Sequence, residues 1–327
     1  MHTWGVFFLY LQIMNKKYSK KVTTHQEQLK LLKSRGLVIE NEDRVLRYLN
    51  QISYYRLSAY FLPYQSIKDK FNDGITFNQV LNTYLFDRKI RLLVFDCIER
   101  IEIAIRSQLV YVLANKYNNS HWQDDKNVFI KPVITKKGYS IDPFNEFQQI
   151  ITKNCKAKTP EVFIKHYKKK YRTPVNPPSW MCVELLTIGE LSRIYTGLQK
   201  NSDKQDIANY FGLHYKVFAS WLHSLTYVRN ICAHHGRLWN RELAIKPDIL
   251  LKPKYDWLSK DFEINSRVFY FISILKYLLK SANPNNNLKS KLEEIMHKYS
   301  EIPVKFMGIP SNNTGELMIW QNEPIWK

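Results

Sequence analysis

Ile90-Arg-Leu-Leu-Val-Phe-Asp-Cys-Ile-Glu-Arg-Ile-Glu-Ile-Ala-Ile-Arg-Ser-Gln-Leu109 decides the fold class. Ile90, Leu93, Val94, Cys97, Ile98, Ile101, Ala104, Ile105 and Leu109 recur at helical spacing and form one apolar stripe. The pattern predicts a long helix from about Phe77 to Tyr117. Asp87/Arg91, Asp96/Arg100 and Glu102/Arg106 are spaced i, i+4 with the acid first, the favourable order. Solvated pairs on the helix surface are the expectation for most of them. Asp87, Arg88, Arg91, Glu99 and Arg100 are also dense enough to hold part of a polar site.

Working outward, Thr23-Thr24-His25-Gln26 offers an N-cap, and Arg35-Gly36 closes that helix. Asn41-Glu42-Asp43 opens a second helix through Leu46, Leu49 and Ile52, and an aromatic pattern continues to Pro63. Downstream, the spacing predicts helices over 180–198, 203–213, 215–235, 263–281 and 286–300. Residues 118–180 are less regular, broken by Gly138, Pro143, Pro160, Pro174, Pro177 and Pro178. The tail from Ile302 reads as extended. No internal repeat and no convincing strand alternation appears, so the class is all-α.

The chain has 327 residues, 45% hydrophobic, with only 10 glycines, which is ample for a core and favours helices. Its net charge of +20 points to a polyanionic partner, because each Lys or Arg facing a phosphate releases counterions. Between Lys153 and Arg172 lie eight basic residues against one acid, Glu161, with Phe163, His166, Tyr167 and Tyr171 interleaved. Basic and aromatic side chains in alternation suit backbone tracking and base stacking. Lys165, Lys168, Lys169, Lys170 and Arg172 are the RNA-contact candidates there.

Cys97, Cys155, Cys182 and Cys232 are scattered, without Cys-x-x-Cys or zinc-finger spacing, which fits a reducing cytoplasm. Cys232, between Ile231 and Ala233, reads as apolar packing rather than as a nucleophile. The apolar run near Trp4–Ile13 is too short for a membrane span, and no such segment appears elsewhere. Met14 looks like a natural start, so residues 1–13 are expected to be an over-extended reading frame or a floppy extension, and residues 1–17 together a disordered or over-extended N-terminus.

The chemistry concentrates in Arg229-Asn-Ile-Cys-Ala-His-His235, continuing through Gly236-Arg-Leu-Trp-Asn-Arg241. Asn230 and His234, four apart, share a helical face. Arg229 and His234, five apart, lie about 140° apart on an ideal helix. One helix therefore does not aim both at one atom, but a two-fold pair of helices can, because such an interface brings the same residues together across its axis. A histidine can move protons near neutrality, and an arginine can grip phosphate oxygens. Such a pair suits RNA cleavage in which the 2′-hydroxyl is the nucleophile. No Glu or Asp stands at metal-ligand spacing beside the paired histidines, so neither a metal nor another cofactor is expected. On these residues alone, cleavage, passive nucleic-acid binding and a structural role all stay open.

Arg229-Asn-x-x-x-His234 resembles the Arg-x4-6-His signature of HEPN-domain ribonucleases. More specifically, the chain resembles the Abi-like AbiD/AbiF family of bacterial abortive-infection proteins. The matching stretches are Ile52-Ser-Tyr-Tyr-Arg-Leu-Ser-Ala-Tyr60, Phe86-Asp-Arg-Lys-Ile-Arg-Leu-Leu93, Ile98-Glu-Arg-Ile-Glu-Ile103, Pro178-Ser-Trp180 and Glu184-Leu-Leu-Thr-Ile-Gly-Glu-Leu-Ser192. Arg229 to Arg241, Ile302-Pro303, Met307-Gly-Ile-Pro310 and Pro324-Ile-Trp326 complete the set, which spans roughly Tyr18 to Trp326.

The resemblance implies a HEPN-like helical bundle with an N-terminal helical extension and an irregular C-terminal tail. Residues 18–82 would form the N-terminal helical segment and 83–282 the core, with a basic insertion near 118–178. Residues 283–327 would form a C-terminal helix and tail. It further implies anti-phage defence, partnership with a small noncoding RNA, and a homodimer sharing its active site, as in relatives of type VI CRISPR effector nucleases. It maps catalysis onto Arg229 and His234, supported by Asn230, with His235 a second candidate, and makes Trp239 and Arg241 supports of the helix end rather than catalysts. Arg237 and Arg241, as cations beside the motif, join the RNA-contact candidates. The alternative it leaves is a catalytically inactive RNA-binding or sensor module of a defence complex.

Overall fold

The computed structural model describes residue 19 and residues 21–135 and 138–327. The expectation for residues 1–17 lies outside them. Twelve α-helices and one two-stranded ribbon make up the regular structure of the described residues, so the protein is mainly α-helical. The chain divides into two compact units at Tyr84/Leu85.

The first unit contains α1 (His25–Ser34), α2 (Glu42–Ile52), α3 (Tyr54–Ser58) and the start of α4 (Phe77–Tyr117). Thr24 caps α1 in a reciprocal box with Glu27, and Asn41 caps α2, so both helix starts form where their polar side chains satisfy free amides. Leu29, Leu32, Val45, Leu49, Leu57, Phe61 and Phe71 are buried, and the Phe61 and Phe71 rings meet edge to face at 5.2 Å.

The second unit begins with the rest of α4, whose buried side chains include Ile90, Val94, Ile98, Ile101, Ile105, Leu109 and Leu113. It continues through α5 (Pro143–Cys155), α6 (Val162–Lys170), α7 (Ser179–Cys182), α8 (Ile188–Thr196), α9 (Asn201–Tyr210), α10 (Tyr215–Ala233), α11 (Val268–Ala282) and α12 (Leu288–Lys298). In α11, Val268 to Leu275 and Tyr277 to Leu279 are all buried. A helix apolar on every side belongs at the centre of a core. The tail is pinned to it: the Trp320 and Trp326 rings stand 5.0 Å apart, and Trp326 Nε1 donates to Ser273 Oγ at 3.2 Å.

Three details differ from the periodicity. The helix anticipated over 180–198 is broken, because Leu186 turns extended and Thr187 caps α8 in a box with Glu190. The helix anticipated from 263 starts only at Val268, after a short 3-10 turn at Lys260–Phe262. Finally, β1 (Val133–Ile134) and β2 (Ser140–Ile141) pair antiparallel, turning at Gly138, whose φ of 81° is left-handed. Two residues per strand are too few to show alternation, so periodicity could not find them.

Candidate functional site at the end of α10

Helix α10 carries Phe218, Trp221, Leu222, Leu225, Val228 and Cys232 on its buried face. Phe218 stacks on Phe211 at 4.8 Å and meets Tyr195 edge-on at 5.1 Å. Trp221 Nε1 donates to the Asp248 carbonyl at 2.9 Å. Helix α8 packs on α10 through Gly189, where an added Cβ would stand 3.2 Å from Thr226 Cγ2.

The helix ends at Ala233. His234 is the C-cap, and its amide donates to the Asn230 carbonyl at 3.0 Å. The His235 amide then donates to Cys232 O at 3.1 Å and the Gly236 amide to Ile231 O at 2.8 Å, the two bonds of a Schellman end. His235 occupies the left-handed position, φ 57°, where glycine is usual. The glycine stands one residue later because room is needed there: a Cβ on Gly236 would lie 3.3 Å from Ile231 Cγ2 and 3.4 Å from Ile231 O.

Beyond Gly236 the turn is held by a charge. Asp87 of α4 is fully buried, and its Oδ1 accepts the amides of Leu238 at 3.1 Å and Trp239 at 2.7 Å. Its Oδ2 pairs with Arg91, which is only 5% exposed. The Asp87/Arg91 pair is therefore interior, an exception to the solvated placement expected for most of the three pairs. Asp96/Arg100 does sit at the surface, whereas Glu102/Arg106 is half-buried, with Arg106 also donating to the Glu184 and Leu186 carbonyls. Trp239 is buried edge-on against Phe306 at 5.6 Å.

On this base the predicted residues fall as follows. Asn230, His234 and His235 are exposed. Arg229 is half-buried, and its Nη1 donates to Asn230 Oδ1 at 3.1 Å. Arg241 folds back, donating from Nε to the backbone carbonyl of Arg237 at 2.6 Å, a side-chain bond across the turn. Cys232 is buried, and burial pushes its thiol up to about 12, with Arg91 pulling the other way, so it is no nucleophile at neutral pH.

The basic helix α6 is held by its own set of contacts. Ile164 and Tyr167 are its buried anchors, and Tyr167 Oη donates to Pro174 O at 2.8 Å and Asn176 O at 3.1 Å. Lys165, Lys168, Lys169, Lys170 and Arg172 are all exposed, with Lys168 reaching the Cys155 carbonyl. The contacts that anchor α6 run to Cys155, Pro174 and Asn176, while those of the α10 turn run to Asp87.

In the sequence, Asp87 stands out only as the acid of an i, i+4 pair and as a member of a dense acidic and basic set. Its clue was phase: it lies three and seven residues before Ile90 and Val94, on the apolar stripe itself. Among the described residues no group of three His, Cys, Asp or Glu is placed to hold a metal, and no helix is long and apolar enough to cross a membrane.

Comparison with curated proteins and with solved structures gives no match. Residues 47–240, more than half of the chain and including both Asp87 and the α10 turn, match the family described as Abi-like protein. The chain belongs to the Abi-like protein family.

Proposed function

We propose that the protein is an abortive-infection defence factor and a HEPN-type, metal-independent endoribonuclease of the AbiD/AbiF kind. The observation that carries this reading is the α10 turn: exposed His234 and Asn230, with Arg229 bonded to Asn230, on a backbone fixed from beneath. In the reaction, the RNA 2′-oxygen bonds to the adjacent phosphorus and the P–O5′ bond breaks. The proton leaving the 2′-hydroxyl goes to a base, and a proton is delivered to the departing 5′-oxygen. The products are a 2′,3′-cyclic phosphate and a 5′-hydroxyl. His234 moves protons, Arg229 balances charge on the phosphate, and Asn230 orients Arg229. His235 is the second proton-transfer candidate. The fixed turn supports this role because positioning lowers the barrier only when the groups are already placed.

The site works as a seam between two copies in a cytoplasmic homodimer, with residues 83–282 as the working core. Two-fold pairing supplies what the ~140° between Arg229 and His234 denies one helix. Lys165, Lys168, Lys169, Lys170 and Arg172, with Arg237 and Arg241 beside the turn, hold the RNA backbone, and a small noncoding RNA is the controlling partner.

Phage challenge of a bacterial host tests the reading. Wild-type protein protects, while Arg229→Ala and His234→Ala, expressed to equal level, do not. Full protection by both variants contradicts it and favours a sensor that only binds RNA. Mixing the two variants restores part of the cleavage if the site is shared between copies. Sequencing of RNA that co-purifies from the host returns one enriched small species if the controlling partner is real.

A further inference from the structure

We propose that Asp87 is the positioning residue of the α10 turn: its buried carboxylate sets where His234 and His235 stand, through the backbone and without touching RNA. The proposal rests on the nuclease reading for its catalytic consequence, but not for its structural content.

The backbone amides of the turn have identifiable acceptors. Of residues 234–239, His234, His235 and Gly236 spend their amides on the last turn of α10. Leu238 and Trp239 spend theirs on Asp87. The turn is thus tied at one end to its own helix and at the other, through two backbone amides, to a side chain 151 residues earlier in the chain. Backbone amides that face an ionised carboxylate make stronger bonds than amide–carbonyl pairs, and a dry interior strengthens them further.

The chemistry of the position is also unusual. Asp is almost never fully buried unless paired, and a buried pair seldom stabilises more than well-packed apolar side chains of the same volume. A core built for stability alone would continue the stripe of Ile90 and Val94 with another aliphatic residue. Instead the stripe carries a carboxylate, with Arg91 paired to its Oδ2. Arg91 cannot take over the task, since a guanidinium only donates and the amides of Leu238 and Trp239 need an acceptor.

His235 supplies a second, independent sign. A non-glycine residue at φ 57° persists only where its surroundings over-determine it. The Schellman bonds on one side and Asp87 on the other do so. The outcome is two adjacent imidazoles turned to solvent from a backbone with little freedom to move.

The test uses the full chain with Asp87→Asn, which keeps the shape and removes the charge. Asp87→Asn/Arg91→Gln removes both charges in case the single variant leaves Arg91 too costly to bury. Ile98→Ala, buried on the same helix and eleven residues along, serves as the stability control. Hydrogen exchange is followed over residues 234–240. Cleavage of a mixed-sequence single-stranded RNA oligonucleotide is measured alongside, with kcat and KM separated.

In whichever Asp87 variant folds, exchange at Leu238 and Trp239 is expected to speed on the order of tenfold or more. kcat falls ~10²-fold with KM within about twofold, because a small misplacement of reacting groups costs that much. Asp87→Glu, which keeps the charge, recovers part of kcat. Ile98→Ala lowers the melting temperature but leaves both readouts near wild type. Unchanged exchange over 234–240, or a kcat loss equally large in Ile98→Ala, overturns the proposal. Wild-type protein that binds the RNA and never cuts it overturns the nuclease reading instead, and exchange alone then decides for or against Asp87.

Discussion

The turn after α10 and the basic helix α6 both offer cationic or titratable side chains to solvent, but they are built differently. Helix α6 rests on Ile164 and Tyr167, and its lysines extend on flexible stems from a short surface helix. The α10 turn has its amides committed to Asp87 and to the helix end, and buried Trp239 and Cys232 lie beneath it. Long, mobile cations suit a phosphate backbone that shifts in register, because attraction to phosphate is tolerant of geometry. Proton transfer is not, since donor and acceptor must lie within hydrogen-bond reach. The contrast separates a surface for holding RNA from a site for acting on it.

Five variants sharpen or break that contrast, taken from the largest effect downward. His234→Ala is expected to slow RNA cleavage by ~10²–10⁴-fold with RNA affinity nearly unchanged, as seen by single-turnover kinetics beside filter binding. If affinity falls as far as rate, the two surfaces are not separate. Replacing Lys165, Lys168, Lys169 and Lys170 together by alanine should do the reverse. The slope of log K against log salt flattens by about 0.7 per lost phosphate contact on single strands, while turnover of bound RNA holds. An unchanged slope removes α6 from the RNA interface.

Next comes stability. Asp87→Ala should destabilise the fold by about 3–5 kcal/mol in chemical denaturation, because Arg91 is left charged and buried. Asp96→Ala, which breaks an exposed pair on the same helix, should cost about 0–1 kcal/mol. Equal losses would mean that the interior pair has no special role. A change of opposite sign is expected at His235, where glycine should raise stability by about 1 kcal/mol by relieving the left-handed backbone. A loss there would show that the imidazole itself braces the turn.

Much of this was legible in the chain. Ile90 to Leu109 shows its helix because one face is apolar at a strict period, and Thr24 with Glu27 announces a helix start by local hydrogen bonding. Arg229 to Arg241 stands out by composition alone. What stayed hidden depends on contacts distant in sequence or on segments too short for a period. The bond from Trp239 to Asp87 leaves no trace in either local pattern. The i, i+4 spacing of Asp87 and Arg91 is the same as that of Asp96 and Arg100, yet one pair is interior and the other exposed. Only their phase against the apolar stripe separates them. The break before α8 arises from Thr187, whose cap with Glu190 outcompetes a continuous helix.

The central claim is that the α10 turn cuts RNA by using the 2′-hydroxyl of the RNA itself. Its most direct test is the chemistry of the new ends made by wild-type protein in the presence of EDTA, compared with those made by Arg229→Ala and His234→Ala. The account predicts 2′,3′-cyclic phosphate and 5′-hydroxyl ends from wild type and none above background from either variant. Ends bearing a 5′-phosphate, or cleavage that survives both substitutions, would contradict it.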